Sequence, residues 1–228
     1  MMSDKLTMLR GKVNEACKRA KRDPQEIKIV LVTKQIDSKL IEEAYRLGVR
    51  DFGENRVQEW QDKKDALARD IDWHLIGHLQ TNKTKYWVGE TKLVHSLDSE
   101  HLALAIETEA GKRNIQVDCL LQVNISGEET KFGIAPQKLS ELAKVVSNLS
   151  HIRIKGLMTI GPNTEDLKEI RGAFKKLREL SDEMKVKFSG QDWRYLSMGM
   201  SSDFEIAIEE GSNLIRIGTA VFGEREKK

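Results

Sequence analysis

The sequence predicts an α/β fold, a single-domain (β/α)8 barrel of the TIM type with an extra N-terminal helix. Short β-branched apolar runs alternate with amphipathic helical patterns along the chain, and eight such runs occur. The 228 residues are close to the ~250 that are typical of this barrel, whereas a doubly wound open sheet usually has fewer strands. No Ser/Gly/Pro-rich linker, low-complexity segment or strong repeat divides the chain, so residues 1–228 are predicted to form one domain.

The first predicted element is a helix. Apolar residues recur there at helical spacing and stop before Pro24: Leu6, Leu9, Val13, Ala16, Cys17 and Ala20. This places the N-terminal helix within residues 1–22 and the barrel within residues 27–223.

The eight predicted strands share a nearly continuous apolar character, as expected for strands buried on both faces of a parallel sheet. They cover residues 27–33, 49–53, 73–77, 93–97, 117–124, 152–160, 195–198 and 214–222. Helical spacing returns between them, most clearly over residues 40–47, 139–149 and 167–184.

Charge and cysteine content exclude several classes of protein. The 38 Lys and Arg residues and the 36 Asp and Glu residues are interspersed, which argues against a nucleic-acid-binding protein. Cys17 and Cys119 form no CxxC pair, so neither a disulfide framework nor a structural zinc site is predicted. The N-terminus lacks the apolar core of a signal peptide, and no apolar run reaches the ~18 residues of a membrane span. We therefore expect a cytoplasmic protein.

Lys34 is the first candidate for chemistry, because the usual dinucleotide, P-loop, zinc-protease and serine-hydrolase motifs are absent. It follows the first predicted strand, where a barrel presents side chains to its active-site mouth. Partial desolvation there would disfavour the charged form, and a neutral amine is what a Schiff-base nucleophile requires. The alternative is a strand-terminal lysine that points into solvent.

Two glycine- and hydroxyl-containing loops follow the seventh and eighth strands, at residues 196–201 (LSMGMS) and 216–219 (RIGT). Loops at these positions often bind phosphate in barrels, because glycines let backbone N–H groups approach an anion. Closure of the barrel also places the first strand beside the eighth, so Lys34 and Arg216 are predicted to share the mouth. Alternatively, these glycines only make tight loops.

The histidines give no metal site. His74 and His78 would share one face of a strand, but no third ligand follows at suitable spacing, so packing and hydrogen bonding are the better interpretation. His95, His101 and His151 are assigned to the surface or to strand ends. Glu54 and Asn55 either line the mouth or begin a helix.

The chain resembles the pyridoxal phosphate homeostasis protein family, whose members are single-domain relatives of the alanine racemase barrel. The motifs that carry the resemblance are VLVTK at 30–34, FGEN at 52–55, WHLIGHLQTNK at 73–83, VNIS at 123–126, KFG at 131–133, GLMTI at 156–160, LSMGMSSDFEIAI at 196–208 and RIGTAVFG at 216–223. The resemblance implies that pyridoxal 5'-phosphate (PLP) forms a Schiff base with Lys34 and that Arg216 faces its pyridine nitrogen. It further implies that the phosphate is held by Ser197, Gly218 and Thr219, with Met198, Gly199 and Asn55 near it.

The same resemblance argues against efficient catalysis. A cationic Arg216 disfavours protonation of the pyridine nitrogen and so weakens the electron sink of the cofactor. Related racemases take a second base from an added C-terminal domain, and we expect none here because the sequence stops six residues after Phe222. An internal base would have to come from Tyr45, Tyr86 or Tyr195, and nothing in the sequence selects one.

The predicted function is therefore PLP homeostasis, meaning buffering or delivery of the cofactor by a monomer, with apo-PLP-dependent enzymes as recipients. Ile36 stands where many relatives have a second lysine, which leaves the transfer behaviour open. A PLP-dependent racemase-like enzyme is the alternative, and a PLP-free Schiff-base aldolase acting on a phosphorylated sugar is a third possibility.

Overall fold

Eight parallel strands close into a barrel in the computed structural model, which describes residues 1–224. The strands follow one another around the barrel in chain order, and β1 pairs with β8. Their bounds are β1 Lys28–Val32, β2 Asp51–Glu54, β3 Asp72–Leu75, β4 Leu93–Leu97, β5 Val117–Gln122, β6 Ile152–Met158, β7 Tyr195–Ser197 and β8 Leu214–Ile217. The predicted fold class is confirmed, and the last four residues of the predicted domain 1–228 lie outside the described residues.

Helices surround the barrel and follow most of the strands. Their bounds are α1 Met2–Ala20, α2 Ser38–Arg46, α3 Val57–Lys64, α4 Thr84–Trp87, α5 Glu100–Arg113, α6 Leu139–Ser147, α7 Leu167–Lys187, α8 Phe204–Glu209 and α9 Thr219–Phe222, with 3-10 turns at Pro24–Glu26, Thr81–Lys83 and Pro136–Lys138. Among residues 1–224, no helix combines the length and the apolar character that crossing a bilayer requires.

Two apolar clusters hold the elements together. The larger one lies between the outer faces of the strands and the helices, and includes the buried side chains of Leu31, Phe52 and Trp60. The smaller one fills part of the barrel interior and consists of Val30, Leu93, Leu120, Met158 and Leu214. Because side chains alternate along a strand, β1, β4, β5, β6 and β8 contribute to both clusters. The remaining interior positions are polar, and they determine the site described below.

The chain closes on itself through α1. This helix packs against α8 and α9, and the guanidinium of Arg19 donates to Glu209 at 2.7 Å and to Glu205 at 2.9 Å. Arg22, just beyond the helix, donates to the backbone oxygens of Ile208 and Ser212. The first and last parts of the barrel are thereby tied together outside the β1–β8 pairing.

One predicted strand is wrong in part. The apolar run 214–222 was predicted as a single strand, but β8 ends at Ile217 and Thr219–Phe222 is a helical turn. The backbone of Gly218 leaves the extended region, and its oxygen accepts the N–H groups of Val221 and Phe222 at 3.0 Å each. An apolar run alone does not separate a buried strand from a buried helical turn.

Candidate functional site

A cavity of about 350 Å³ opens at the carboxyl ends of the strands. It is lined by Val32, Lys34, Asn55, Ile76, Ile160, Met200, Ser201, Ser202, Arg216, Gly218 and Thr219. The volume lies within the range of small-molecule sites. Lys34 and Arg216 face the same cavity because β1 pairs with β8, in the register Val30 opposite Arg216, as the sequence predicted.

The loop that carries Lys34 is held on both sides by α3. Lys63 donates to the backbone oxygen of Thr33 at 2.7 Å and to the carboxylate of Glu59 at 2.7 Å. Glu59 in turn accepts the backbone N–H of Gln35, which adopts a left-handed conformation at φ 59°. Such a conformation is uncommon for a residue other than glycine, so these contacts fix a turn that the chain would otherwise adopt rarely. The backbone next to Lys34 is thereby positioned.

Glu54 lies beneath this loop, between β2 and α3, and not in the mouth. Its carboxylate is fully buried and accepts from Lys63 and from the Thr33 hydroxyl at 2.7 Å each. Burial raises the pKa of Glu54, and the hydrogen bond and charge of Lys63 oppose that rise. The Glu54 Oε2 atom has no partner among the described residues.

Arg216 reaches the floor of the cavity from β8 and is almost fully buried. Its Nη1 donates to the Ser197 hydroxyl at 2.7 Å, and its Nη2 donates to the backbone oxygen of Thr159 at 2.9 Å. Burial lowers the pKa of Arg216 to about 10, which leaves the side chain charged at neutral pH, while the charge of Asp203 favours the protonated form. Some guanidinium N–H donors remain for a ligand, since an Arg side chain carries more of them than these bonds use.

Part of the set predicted to hold the phosphate lines the cavity. Gly218 and Thr219 line the cavity, and so does Ser201, which the sequence interpretation did not select as a site residue. The Ser201 hydroxyl oxygen accepts the backbone N–H groups of Gly218 and Ala220 at 3.3 Å each. Its own hydrogen is therefore free to donate to an anion.

Three predicted residues lie behind the cavity wall. Ser197 and Met198 are fully buried, and neither lines the cavity. Gly199 makes the turn that leads to α8. Its φ is 96°, and a Cβ there would lie 2.6 Å from the Cβ of Ala207. The Gly199 oxygen accepts the backbone N–H of Arg216 at 3.0 Å, so this glycine joins the two loops.

Asn55 lines the cavity as predicted. Its side-chain Oδ1 is buried without a hydrogen-bond partner among residues 1–224. A Cβ on Gly77 would lie 2.5 Å from the Asn55 backbone oxygen, so the glycine allows the loop after β3 to pack directly on Asn55. Ile36 stands where many members of the resembled family have a second lysine. Its side chain is buried in the larger apolar cluster.

The structure places His95 differently from the prediction. His95 was assigned to the surface or a strand end, but it is fully buried inside the barrel, where it contacts His74. His78 lies beyond the end of β3 and stacks on Phe132, with ring centroids 3.9 Å apart. In the part of the chain that is described, no group of three or more His, Cys, Asp and Glu side chains could hold a metal ion.

The chain is similar to known proteins over nearly its whole length. The family model for the alanine racemase N-terminal domain matches residues 6–226. A pyridoxal phosphate homeostasis protein of Aquifex aeolicus is 45% identical over 224 residues, covering 98% of each chain. Among solved structures, a protein of Bifidobacterium adolescentis described as unknown has a TM-score of 0.92 and 37% identity, and covers 97% of this chain and 94% of its own.

PipY of Synechococcus elongatus PCC7942, solved with PLP bound, has a TM-score of 0.87 and 33% identity, and covers 98% of this chain and 100% of its own. These similarities extend over nearly the whole of both partners in each comparison. They agree with the motifs at residues 30–34 and 216–223, which surround the cavity. The chain therefore belongs to the pyridoxal phosphate homeostasis protein family, on the fold of the alanine racemase N-terminal domain.

Proposed function

We propose that this protein binds PLP covalently on Lys34 and buffers or delivers it, without an efficient reaction of its own. The observation that carries the proposal is the convergence of Lys34 and Arg216 on one cavity of about 350 Å³. The names of the relatives and the PLP-bound structure of PipY support the same cofactor. We also propose that the protein acts as a cytoplasmic monomer, with apo-PLP-dependent enzymes as recipients.

The chain's residues fit the cofactor. A buried guanidinium, an amine and a hydroxyl that can donate all face the cavity, and the orphaned Oδ1 of Asn55 adds an unsatisfied acceptor at its edge. Ser201, Gly218 and Thr219 would hold the phosphate, in place of the set that included Ser197. Apolar side chains of Val32, Ile76 and Ile160 complete the lining and would contact a ring.

PLP, when bound, supplies an aldehyde that a neutral amine can attack. The contribution of the protein is to position that amine and to set the charge around the ring. Lys63 and Glu59 hold the backbone on either side of Lys34, which limits the positions that its Nζ can reach. Arg216 remains charged at the cavity floor, and a cation facing the ring nitrogen would keep that nitrogen unprotonated.

The lining also explains why catalysis would be weak. Among the described lining residues, Lys34 and Arg216 are the only side chains that ionise, and the Arg216 guanidinium stays charged. The lining therefore offers one candidate base, whereas racemisation uses a base on each face of the substrate. The three tyrosines lie elsewhere. Tyr45 donates to Asp70 on the surface, Tyr195 lies at the amino ends of the strands in a different cavity, and Tyr86 is exposed on α4.

Borohydride reduction of the loaded protein tests the proposal. A visible absorption band should disappear on reduction, and mass spectrometry should place the adduct on Lys34. Lys34→Ala should remove both signals, whereas Lys83→Ala, which changes a lysine outside the cavity, should keep both. An adduct on Lys39 or Lys83 in the wild-type protein would contradict the assignment.

Delivery and catalysis need separate assays. Loaded protein should restore activity to an apo-PLP-dependent enzyme, and the restored activity should be compared with that given by an equal concentration of free PLP. A panel of L- and D-amino acids in deuterated water should show negligible exchange of the α-proton. Exchange at ordinary enzymatic rates that is lost in Lys34→Ala would favour a racemase-like enzyme instead.

A further inference from the structure

A chain of polar side chains runs through the barrel interior from its amino end to the cavity floor, and all of its members are buried except the partly exposed Asp51. Asp51 lies 2.9 Å from His74 Nε2, and His74 Nδ1 lies 2.9 Å from His95 Nε2. His95 Nδ1 then lies 2.9 Å from the Ser197 hydroxyl, which accepts from Arg216 at 2.7 Å. These residues come from β2, β3, β4, β7 and β8. We call the set Asp51, His74, His95 and Ser197 the interior relay.

The partners at both ends fix the direction of every hydrogen bond in the interior relay. Asp51 is ionised, since hydrogen bonds from His74 and Lys28 outweigh burial and lower its pKa, so it can only accept. Burial lowers the pKa of His74 and lowers that of His95 further, so both rings are neutral at neutral pH. Each neutral ring therefore donates through Nε2 and accepts through Nδ1.

This direction leaves no unsatisfied group at the Arg216 end. His74 donates to Asp51, His95 donates to His74, and the Ser197 hydroxyl donates to His95. The Ser197 oxygen is then left to accept from the Arg216 guanidinium. If the rings had the opposite tautomer, His95 would donate to Ser197 and Asp51 would face an unprotonated ring nitrogen. That arrangement would set two acceptors, the Asp51 carboxylate oxygen and the unprotonated Nε2 of the buried His74, 2.9 Å apart with no hydrogen between them. The ring nitrogen would then be buried without a donor, which costs more than a neutral hydrogen bond returns.

We propose that the interior relay positions Arg216 and holds it as a donor at the cavity floor, with Ser197 and His95 as positioning residues that act through it. The inference rests on the proposed function only for the identity of the ring that Arg216 faces. It assigns a role to Ser197 other than the phosphate contact predicted from the sequence. The far end of the relay, Asp51 with its partner Lys28, lines a second cavity at the amino ends of the strands.

The first test uses the ligand-free protein and needs no variant. A two-bond ¹H–¹⁵N correlation spectrum of the ¹⁵N-labelled protein distinguishes the two neutral tautomers from the imidazolium. At about pH 7, both His74 and His95 should be neutral with the proton on Nε2. An imidazolium at either position, or a proton on Nδ1 of either ring, would overturn the proposal.

The second test measures Arg216 itself in ligand-free protein, through the rate of rotation of its guanidinium group. Ser197→Ala should raise that rate roughly ten- to hundredfold, the factor that follows from loss of one hydrogen bond to a charged group. Ser96→Ala is the matched control, because Ser96 is equally buried on the neighbouring position of β4 and its hydroxyl has no partner among the described residues. Equal rates in the two variants would contradict the relay.

The third test adds PLP. His95→Leu and Ser197→Ala should shift the visible band of the loaded protein in the same direction. His95→Gln should return it, since an amide can donate to His74 and accept from Ser197. Failure of His95→Gln to differ from His95→Leu would mean that packing alone matters and would refute the relay. Absence of any visible band in the wild-type protein would refute the proposed function and leave the tautomer test decisive for the relay.

Discussion

Replacement of Lys63 by methionine should destabilise the protein strongly, although the residue lies outside the cavity. Lys63 bonds to Glu54, Glu59 and the backbone of Thr33 at 2.7 Å each. Its side chain is 10% exposed and that of Glu54 is 0% exposed. Lys63→Met keeps an unbranched apolar side chain that is one atom shorter, and removes the charge.

The magnitude follows from what remains around Glu54. Without Lys63, the carboxylate keeps the Thr33 hydroxyl, and its Oε2 has no partner in the described structure. Removing one member of a buried ion pair costs about 3–5 kcal/mol of unfolding free energy. That is a large part of the ~5–15 kcal/mol typical of a whole domain. Lys63→Met/Glu54→Gln removes the stranded charge, so it should be more stable than the single variant by about 2 kcal/mol or more.

The pH dependence gives a second signature. Lys63 opposes the rise that burial causes in the pKa of Glu54, so that pKa rises further in Lys63→Met. At a pH between the ordinary carboxyl pKa of 4.5 and the raised pKa of Glu54 in the folded variant, the folded protein holds more protons than the unfolded chain. Unfolding then releases protons, so stability increases as the pH falls through that window. The deficit of Lys63→Met should therefore shrink as the pH falls from neutral toward 4.5.

Urea unfolding followed by tryptophan fluorescence measures these differences, since Trp60 is buried on the same helix. Lys64→Met is the matched control. Lys64 forms a 3.4 Å pair with Glu90 that is partly exposed to solvent, and such a pair should contribute at most about 1 kcal/mol. A Lys63→Met variant as stable as Lys64→Met would refute this reasoning, and so would a double variant no more stable than the single one.

Three further outcomes are expected. Arg216→Glu should alter the visible absorption of the loaded protein while Lys34 still links covalently, and an unchanged spectrum would mean that Arg216 does not face the ring nitrogen. Ser201→Ala should weaken binding of PLP roughly tenfold, the effect of one charge-assisted hydrogen bond, and leave binding of pyridoxal nearly unchanged. Cys17 and Cys119 are buried, and burial raises the pKa of both thiols, so neither should react quickly with Ellman's reagent until the protein unfolds. Fast reaction of either cysteine in the native protein would contradict its described burial.

Barrel topology could be predicted from the sequence because apolar runs and helical spacing are local signals. The predicted topology also placed Lys34 and Arg216 in one cavity, since closure of the barrel brings β1 beside β8. The interior relay could not be predicted, because residues 93–97 (LVHSL) show no alternation of apolar and polar residues that would tell which face holds His95. The place of Ser201 in the cavity lining could not be predicted for a related reason. The alternation of β7 turns Ser197 into the barrel, and only the turn at Gly199 brings the later serine to the cavity.

The pairing of β1 with β8 has a consequence for how the protein folds during synthesis. During synthesis, β1 and the loop that carries Lys34 leave the ribosome long before β8 does, and β1 lacks a partner on one edge until then. A nascent chain interrupted before residue 214 contains the amine of Lys34 without the guanidinium of Arg216 or the loop at residues 218–219. The cavity lining described above is therefore complete only once translation has passed residue 219.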